Sequence, residues 1–131
     1  MIRSIKRVML VDDNRIDNFF HERVVRKFDN TITVIATDSG IKALDYLLNT
    51  NEENDVDLIV LDVNMPEMTG WEFLEHYHKL NRQLQTATIV VMSSEQPNEK
   101  DKTLMNTMDL LFRKKPLTEQ VLHDVLEHFS I

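Results

Sequence analysis

Short apolar runs alternate along the chain with longer segments in which apolar residues recur at helical spacing. The runs cover residues 8–11, 32–36, 57–61, 88–92 and 110–112. After each run, the apolar positions change to the three- and four-residue steps of an amphipathic helix. Alternation of this kind indicates a parallel sheet whose crossover helices cover both faces. We therefore predict a doubly wound α/β fold with five strands and five helices.

The first helical segment begins after the run at residues 8–11 and contains two adjacent phenylalanines. Ile16, Phe20 and Val24 recur at helical spacing and share one face of this segment. A helix that packs on a sheet turns its apolar face to the core. We therefore predict that Phe20 is buried and that Phe19 is partly exposed.

Polar residues with catalytic chemistry follow four of the five apolar runs, three of them directly. Asp12 and Asp13 follow the first run, Asp62 the third, Ser93 the fourth, and Lys115 comes shortly after the fifth. The carboxyl ends of parallel strands meet at one edge of the sheet, and ligands bind at that edge. We therefore expect three carboxylates, one hydroxyl and one ammonium group to share a cleft.

Composition narrows the classes of protein that fit this pattern. The 131 residues suffice for one domain, predicted over residues 1–131, and 42% hydrophobic with 28% charged residues is typical of a folded soluble protein. The absence of cysteine excludes disulfides and favours a reducing compartment. The net charge of −7 disfavours a nucleic-acid surface, and no apolar run approaches membrane-spanning length. We expect a cytoplasmic protein without direct nucleic-acid or membrane contact.

Four stretches of the sequence together resemble one known family. They are residues 10–14 (LVDDN), 61–70 (LDVNMPEMTG), 91–94 (VMSS) and 115–116 (KP). In this order, and at predicted strand ends, they resemble the receiver domain of response regulators in two-component signalling, and the match covers essentially the whole chain. The resemblance implies a flavodoxin-like, CheY-like sheet with strand order 2-1-3-4-5. Because the receiver fills the chain, we expect no effector domain.

The implied strand order places a topological switch point, where such sheets bind ligands, between the first and third strands. Asp12, Asp13 and Asp62 fall at this point, and crowded carboxylates repel one another unless a cation binds. Oxygen ligands without thiolate or imidazole favour Mg²⁺ over zinc, with Mn²⁺ as an alternative. The resemblance implies that Asp13 and Asp62 bind the metal directly. Asp12 acts through a water molecule, and the backbone carbonyl of Asn64 supplies a further oxygen.

The reaction that the resemblance implies is phosphoryl transfer. Asp62 is the nucleophile that accepts a phosphoryl group from a phosphohistidine, and a carboxylate needs no general base at neutral pH. Lys115 and the metal balance the charge of the phosphoryl oxygens. Ser93 donates its hydroxyl to a phosphoryl oxygen, with Ser94 as the alternative for that position. The chain is then a phosphoacceptor switch with self-catalysed phosphorylation and dephosphorylation, not an enzyme with an external substrate.

Three further residues match regulatory positions of the family. Phe112, in the fifth run, matches the aromatic switch position, where inward and outward rotamers accompany the two states. Because Phe lacks the hydroxyl of Tyr, a switch at Phe112 depends on packing alone. Asn64 and Glu95 match positions that tune the access of the hydrolytic water.

The expected partners are a sensor histidine kinase or a histidine phosphotransfer protein, followed by a downstream target protein. As a stand-alone response regulator, the chain switches protein contacts or passes phosphate along a phosphorelay. We also hypothesise that the first helix, including Phe19, forms part of the docking surface for the histidine-bearing partner.

Functions of two other classes are alternatives. The first is a small-molecule phosphatase that forms an aspartyl phosphate. Such hydrolases place a second Asp two residues after the nucleophile, and Asn64 at that position argues against turnover. The second is a phosphate-independent binding module, which usually lacks one of the acidic or lysine positions. Here those positions are all present.

Overall fold

The computed structural model describes residues 5–51, 54–108 and 110–128 and contains a five-stranded parallel sheet. The strands are β1 Arg7–Val11, β2 Thr33–Thr37, β3 Leu58–Asp62, β4 Thr88–Ser93 and β5 Leu111–Lys114. Their order in the sheet is β2-β1-β3-β4-β5, which confirms the predicted fold and strand order. The winding reverses at β1 and β3, so the carboxyl ends of these two strands border the switch point.

Five α-helices alternate with the strands. They are α1 Arg15–Phe28, α2 Gly40–Leu48, α3 Gly70–Tyr77, α4 Glu99–Met108 and α5 Glu119–His128, and a short 3-10 turn, Arg82–Leu84, precedes β4. Polar side chains cap the first three helices at Asn14, Ser39 and Thr69. In the sequence, Phe129 continues the helical spacing of apolar residues in α5, but it lies outside the described residues. None of the described helices is long and apolar enough to cross a membrane.

The core has two layers because successive side chains of a strand point to opposite faces of the sheet. On one face, Met9 and Ile59 pack with side chains of α2 and α3, including Leu47 and Phe73. On the other face, Val8 and its neighbours pack with side chains of α1 and α5. All five residues of β3 are buried, as expected for a central parallel strand covered on both faces.

The orientation predicted for α1 is wrong for Phe20, whereas Phe19 is exposed as expected. Ile16, Phe19 and Phe20 are 66%, 59% and 54% exposed, whereas Asn18 and His21 are buried. The Asn18 amide donates hydrogen bonds to the carbonyl oxygens of residues 12 and 37, at 2.9 and 3.1 Å. These bonds turn a polar part of α1 toward the sheet edge and leave three large apolar side chains in solvent.

Two of the predicted strands extend one residue further than their apolar runs. Asp62 is the last residue of β3 and Ser93 the last of β4, because the parallel ladder continues through them. Asp62 is in register with Met92, and Ser93 with Lys114. The backbone of both site residues is therefore held by the sheet itself.

Candidate functional site

Three aspartates meet at the carboxyl ends of β1 and β3. These strands are neighbours with Val11 in register with Leu61, so Asp12 and Asp62 lie side by side. Oxygens of Asp12, Asp13 and Asp62 lie within 4.8 Å of one another. Asp12 and Asp62 are buried and Asp13 is exposed, so the cluster opens to solvent on the Asp13 side.

The ammonium of Lys115 lies beside this cluster. Its Nζ atom is 2.6 Å from Oδ2 of Asp12, 2.8 Å from Oδ2 of Asp17 and 3.5 Å from Oδ1 of Asp62. The Lys115 backbone N–H donates to the carbonyl oxygen of Ser93 at 2.8 Å, which joins the loop after β5 to the end of β4. In this structure the shortest contacts of Lys115 are thus to Asp12 and Asp17.

The protonation states follow from burial and from these neighbours. Burial, and after it the charge of Asp12, raise the pKa of the Asp62 carboxyl to about 6, although Lys115 acts in the opposite direction. Burial lowers the pKa of the Lys115 ammonium, but hydrogen bonds to Asp12 and Asp17 outweigh this, and the pKa lies above its usual value. At neutral pH Asp62 is mostly ionised and Lys115 is charged.

Ser93 is buried and faces the site, whereas Ser94 is exposed. The Ser93 Oγ atom accepts hydrogen bonds from Nδ2 of Asn64, at 3.2 Å, and from the backbone N–H of Glu95, at 3.1 Å. A hydroxyl that accepts two bonds still has its own proton to donate. The geometry favours Ser93 over Ser94 as the hydroxyl of this site.

Phe112 lies on β5, is half-buried and packs against the core cluster that includes Phe73 of α3. It lines a cavity of about 260 Å³ together with Ser93, Asn64, Glu95 and Trp71. The cavity is large enough to admit a rearranged side chain. The structure therefore brings the predicted switch residue to the side of the site where Ser93 lies.

The donor set fits a hard cation. It consists of carboxylate oxygens from three aspartates, with no thiolate or imidazole among the residues that form the cluster. Mg²⁺ and Mn²⁺ prefer such oxygen ligands, and the concentrated negative charge disfavours an unliganded site at neutral pH. The backbone N–H of Asn64 lies 3.4 Å from Oδ1 of Asp62, so Asn64 borders the cluster.

Sequence reasoning missed three residues that support the site: Asp17, Asn18 and His21. All three lie on the face of α1 that turns toward the sheet edge. The N-cap at Asn14 places Asp17 in the first helical turn, and this spacing is a signal that could have found it. Asn18 and His21 carry no comparable signal, because their partners lie far away along the chain.

Comparison with known proteins agrees with the fold. The family model of the response regulator receiver domain matches residues 8–127. The two-component response regulator ORR1 of Oryza sativa subsp. japonica is 35% identical over 123 residues, which cover 88% of this chain and 51% of that protein. ARR17 of Arabidopsis thaliana, also a two-component response regulator, is 34% identical over 119 residues, covering 84% and 75%.

Solved structures show the same fold. A response regulator receiver protein from Dyadobacter fermentans superposes with a TM-score of 0.82 at 25% identity, covering 94% of this chain and 96% of that chain. A two-component response regulator from Legionella pneumophila has a TM-score of 0.79 at 27% identity, covering 94% and 96%. The chemotaxis protein CheY4 of Vibrio cholerae, at 23% identity and a TM-score of 0.77, covers 97% and 100% and shares the fold.

The fold and the site define a receiver domain, the phosphoacceptor class of two-component signalling. The chain belongs to the response regulator receiver domain family, because the family model covers most of its length. It spans about half the length of ORR1, the rice relative described above.

Proposed function

We propose that this chain accepts a phosphoryl group on Asp62 from a phosphohistidine donor, in a reaction that needs Mg²⁺ or Mn²⁺. One observation carries the proposal. Asp62 is buried with carboxylate oxygens of Asp12 and Asp13 within 4.8 Å and the Lys115 ammonium at 3.5 Å. A nucleophile, a cation site and a fixed positive charge are the components that phosphoryl transfer requires.

In this reaction a carboxylate oxygen of Asp62 attacks the phosphorus atom. The new O–P bond forms as the P–N bond to the donor imidazole breaks, and the imidazole nitrogen keeps the electron pair. With a pKa of about 6, Asp62 is mostly ionised at neutral pH and needs no general base. Lys115 stabilises negative charge on the phosphoryl oxygens.

A divalent cation would be held by Asp13 and Asp62, by Asp12 through water and by the backbone carbonyl of Asn64, and it would supply positive charge where the phosphoryl oxygens gather. The aspartates need it because three carboxylates within 4.8 Å repel one another. Since Asp13 is the exposed member of the cluster, the site opens to solvent beside it. The chain thus orients the acceptor and balances charge, and it catalyses its own phosphorylation.

Ser93 and Phe112 convert the modification into a change of shape. The Ser93 hydroxyl donates to a phosphoryl oxygen and draws the loop after β4 toward Asp62. Because Glu95 donates its backbone N–H to Ser93 Oγ at 3.1 Å, it moves with that hydroxyl. Phe112 then rotates into the adjacent cavity of about 260 Å³. With no hydroxyl on Phe112, the packing of the ring alone distinguishes the two states.

The lifetime of the phosphorylated state depends on Asn64 and Glu95, which are exposed at the mouth of the site. Their side chains control the approach of the water that hydrolyses the acyl phosphate. The Asn64 amide already donates to Ser93 Oγ at 3.2 Å, and its backbone N–H lies 3.4 Å from Oδ1 of Asp62, so Asn64 borders both the hydroxyl and the acceptor. An amide at this position is not a general acid, which favours a switch over a phosphatase.

The partners follow from the chemistry of the donor. A sensor histidine kinase or a histidine phosphotransfer protein presents the phosphohistidine, and the exposed apolar side chains Ile16, Phe19 and Phe20 provide a docking surface next to the site. The output is contact with a downstream target protein or transfer of phosphate along a phosphorelay. Neither nucleic acid nor a membrane is a direct partner in this proposal, and the protein acts in the cytoplasm.

Incubation with acetyl phosphate, with and without Mg²⁺, followed by intact mass measurement tests the proposal. We expect the mass of one phosphoryl group on the wild type only when Mg²⁺ is present, and none on Asp62→Asn. Asp45→Asn, on the surface of α2, is the matched control and is labelled like the wild type. An unlabelled wild type, or equal labelling of Asp62→Asn, contradicts the proposal. Sustained phosphate release from small phosphomonoesters supports the phosphatase instead.

A further inference from the structure

Asp17 is a fourth carboxylate at the site, and it reaches the site from a helix, whereas Asp12 and Asp62 lie at strand ends. Its Oδ2 atom accepts a hydrogen bond from Nζ of Lys115 at 2.8 Å. The Lys115 side chain is 15% exposed and that of Asp17 is 35% exposed, so the pair is partly shielded from water. A shielded pair with a 2.8 Å contact restrains both side chains more than an exposed surface pair does.

The three N–H groups of the Lys115 ammonium explain the effect of its contact with Asp17. A lysine ammonium has three N–H donors. Two of them donate to Asp12 and Asp17, at 2.6 and 2.8 Å, whereas Asp62 is at 3.5 Å. The third N–H is therefore the one available to a group that arrives on Asp62.

We propose that Asp17 is a positioning residue that holds the Lys115 ammonium beside Asp62, with one N–H left for an incoming phosphoryl oxygen. This inference rests on the proposed function, since it concerns the reaction at Asp62. Lys115 lies on a loop after β5 and has a long flexible side chain, so a single anchor at Asp12 leaves it several orientations. The second anchor, on α1, selects the orientation that faces the acceptor, and a preset geometry accelerates the reaction.

Asp17 also has an electrostatic effect that acts in the opposite direction. Its negative charge adds to that of the three clustered aspartates and repels an incoming phosphoryl group. If this repulsion dominated, removal of the charge alone would accelerate phosphorylation. Two substitutions separate these effects: Asp17→Asn keeps an oxygen acceptor and removes the charge, whereas Asp17→Ala removes both.

The initial rate of labelling by acetyl phosphate with saturating Mg²⁺ is the first measurement. We expect Asp17→Ala to slow it roughly tenfold. Asp17→Asn retains most of the wild-type rate because its amide oxygen still accepts from Lys115. Asp45→Ala, which removes an exposed helical carboxylate on α2, is the matched control and leaves the rate unchanged. Thermal unfolding of each variant shows whether any loss of rate is a loss of fold.

The second measurement is the ¹⁵N relaxation of the Lys115 ammonium in metal-free protein, which reports the mobility of that group directly. We expect greater mobility in Asp17→Ala than in the wild type, with Asp17→Asn in between. Labelling of Asp17→Ala at the wild-type rate, faster labelling of both Asp17 variants, or an equally slow Asp17→Asn overturns the inference. A wild type that is never labelled instead overturns the function on which the inference rests, so the two failures are distinguishable.

Discussion

The backbone N–H of Leu117 donates a hydrogen bond to Nε2 of His21, at 3.3 Å. This bond links α1 to the segment that follows Lys115, and both partners are buried. Because Nε2 accepts, the ring is neutral and carries its proton on Nδ1. Burial lowers the pKa of His21, and the charge of Lys115 lowers it further. The loop with the site lysine is thus anchored to α1 by a histidine that must stay neutral.

Low pH should weaken the hydrogen bond between Leu117 and His21. The folded pKa of His21 lies below its usual value, so the unfolded chain takes up the proton first as pH falls. The contribution of His21 to the free energy of unfolding is complete above about pH 6.5 and declines below it. We expect His21→Gln, which stays neutral, to lose less stability than the wild type between pH 7.5 and 5.5 in urea titrations. The exposed His76→Gln variant is the control, and a pH dependence of His21→Gln equal to that of the wild type contradicts this prediction.

The contribution of Asp62 to the free energy of unfolding should depend on pH in the opposite direction. Its folded pKa of about 6 exceeds the ordinary 3.8, so the folded state binds the proton more tightly. Ionisation of Asp62 therefore destabilises the fold progressively as pH rises from 3.8, and the full penalty is present above about pH 6. In the presence of a chelator at pH 7.5, we expect Asp62→Asn to be more stable than the wild type by about 1–3 kcal/mol. The difference shrinks as pH falls toward 4, as urea titrations at several pH values can show. A wild type more stable than Asp62→Asn at pH 7.5 would mean that attraction to Lys115 exceeds the penalty of burial.

Metal binding should offset the loss of stability that the ionised Asp62 carboxylate causes. A cation that binds only the folded state raises the free energy of unfolding by about 1.4 kcal/mol at ten times its Kd. We expect Mg²⁺ to raise the Tm of the wild type in calorimetry, with a smaller shift for Asp62→Asn and for Asp13→Asn. Asp45→Asn, far from the cluster, should show the full shift. Equal shifts in all four proteins would place the cation elsewhere.

Gly70 should tolerate no side chain. A Cβ at this position would lie 2.7 Å from the carbonyl oxygen of Asp62 and 2.9 Å from Cα of Val63, and neither backbone atom can move freely. We expect Gly70→Ala to lower the free energy of unfolding by about 1–3 kcal/mol and to slow labelling of Asp62. At Gly40 the nearest atom is the flexible Sδ of Met68, also at 2.7 Å, which makes Gly40→Ala the matched control. Urea titration compares the two, and equal losses would show that the contact at Gly70 is unimportant.

The exposed phenylalanines of α1 should affect the partner and not the chemistry. Phe19 and Phe20 form an edge-to-face pair with centroids 5.6 Å apart, and both rings are more than half exposed. We expect Phe19→Ala to slow transfer from a phosphorylated histidine partner and to leave labelling by acetyl phosphate unchanged. Ile41→Ala, an exposed apolar residue on α2, is the control. Unchanged transfer in both Phe19→Ala and Phe20→Ala would remove α1 from the docking surface.

Much of the fold was predictable because the periods of apolar residues are a local property of the chain. The runs around Val8 and Leu61 and the helical spacing of Ala43 and Leu47 correctly predicted the strands, the helices and their alternation. The predicted burial of Phe20 was wrong because a period identifies an apolar face without showing which other side chains of the helix are buried instead. In this helix Asn18 and His21 are buried, and Phe20 is not.

The sequence by itself determined which chemical groups end up at the carboxyl edge, because residues 12, 62, 93 and 115 lie at or just beyond strand ends in any parallel arrangement of these runs. Only the tertiary structure decided how they pair. Lys115 contacts Asp12 and Asp17 most closely because α1 is rotated about its own axis so that Asp17 faces the carboxyl edge of the sheet. That rotation depends on hydrogen bonds between distant elements, and local spacing contains no information about such bonds.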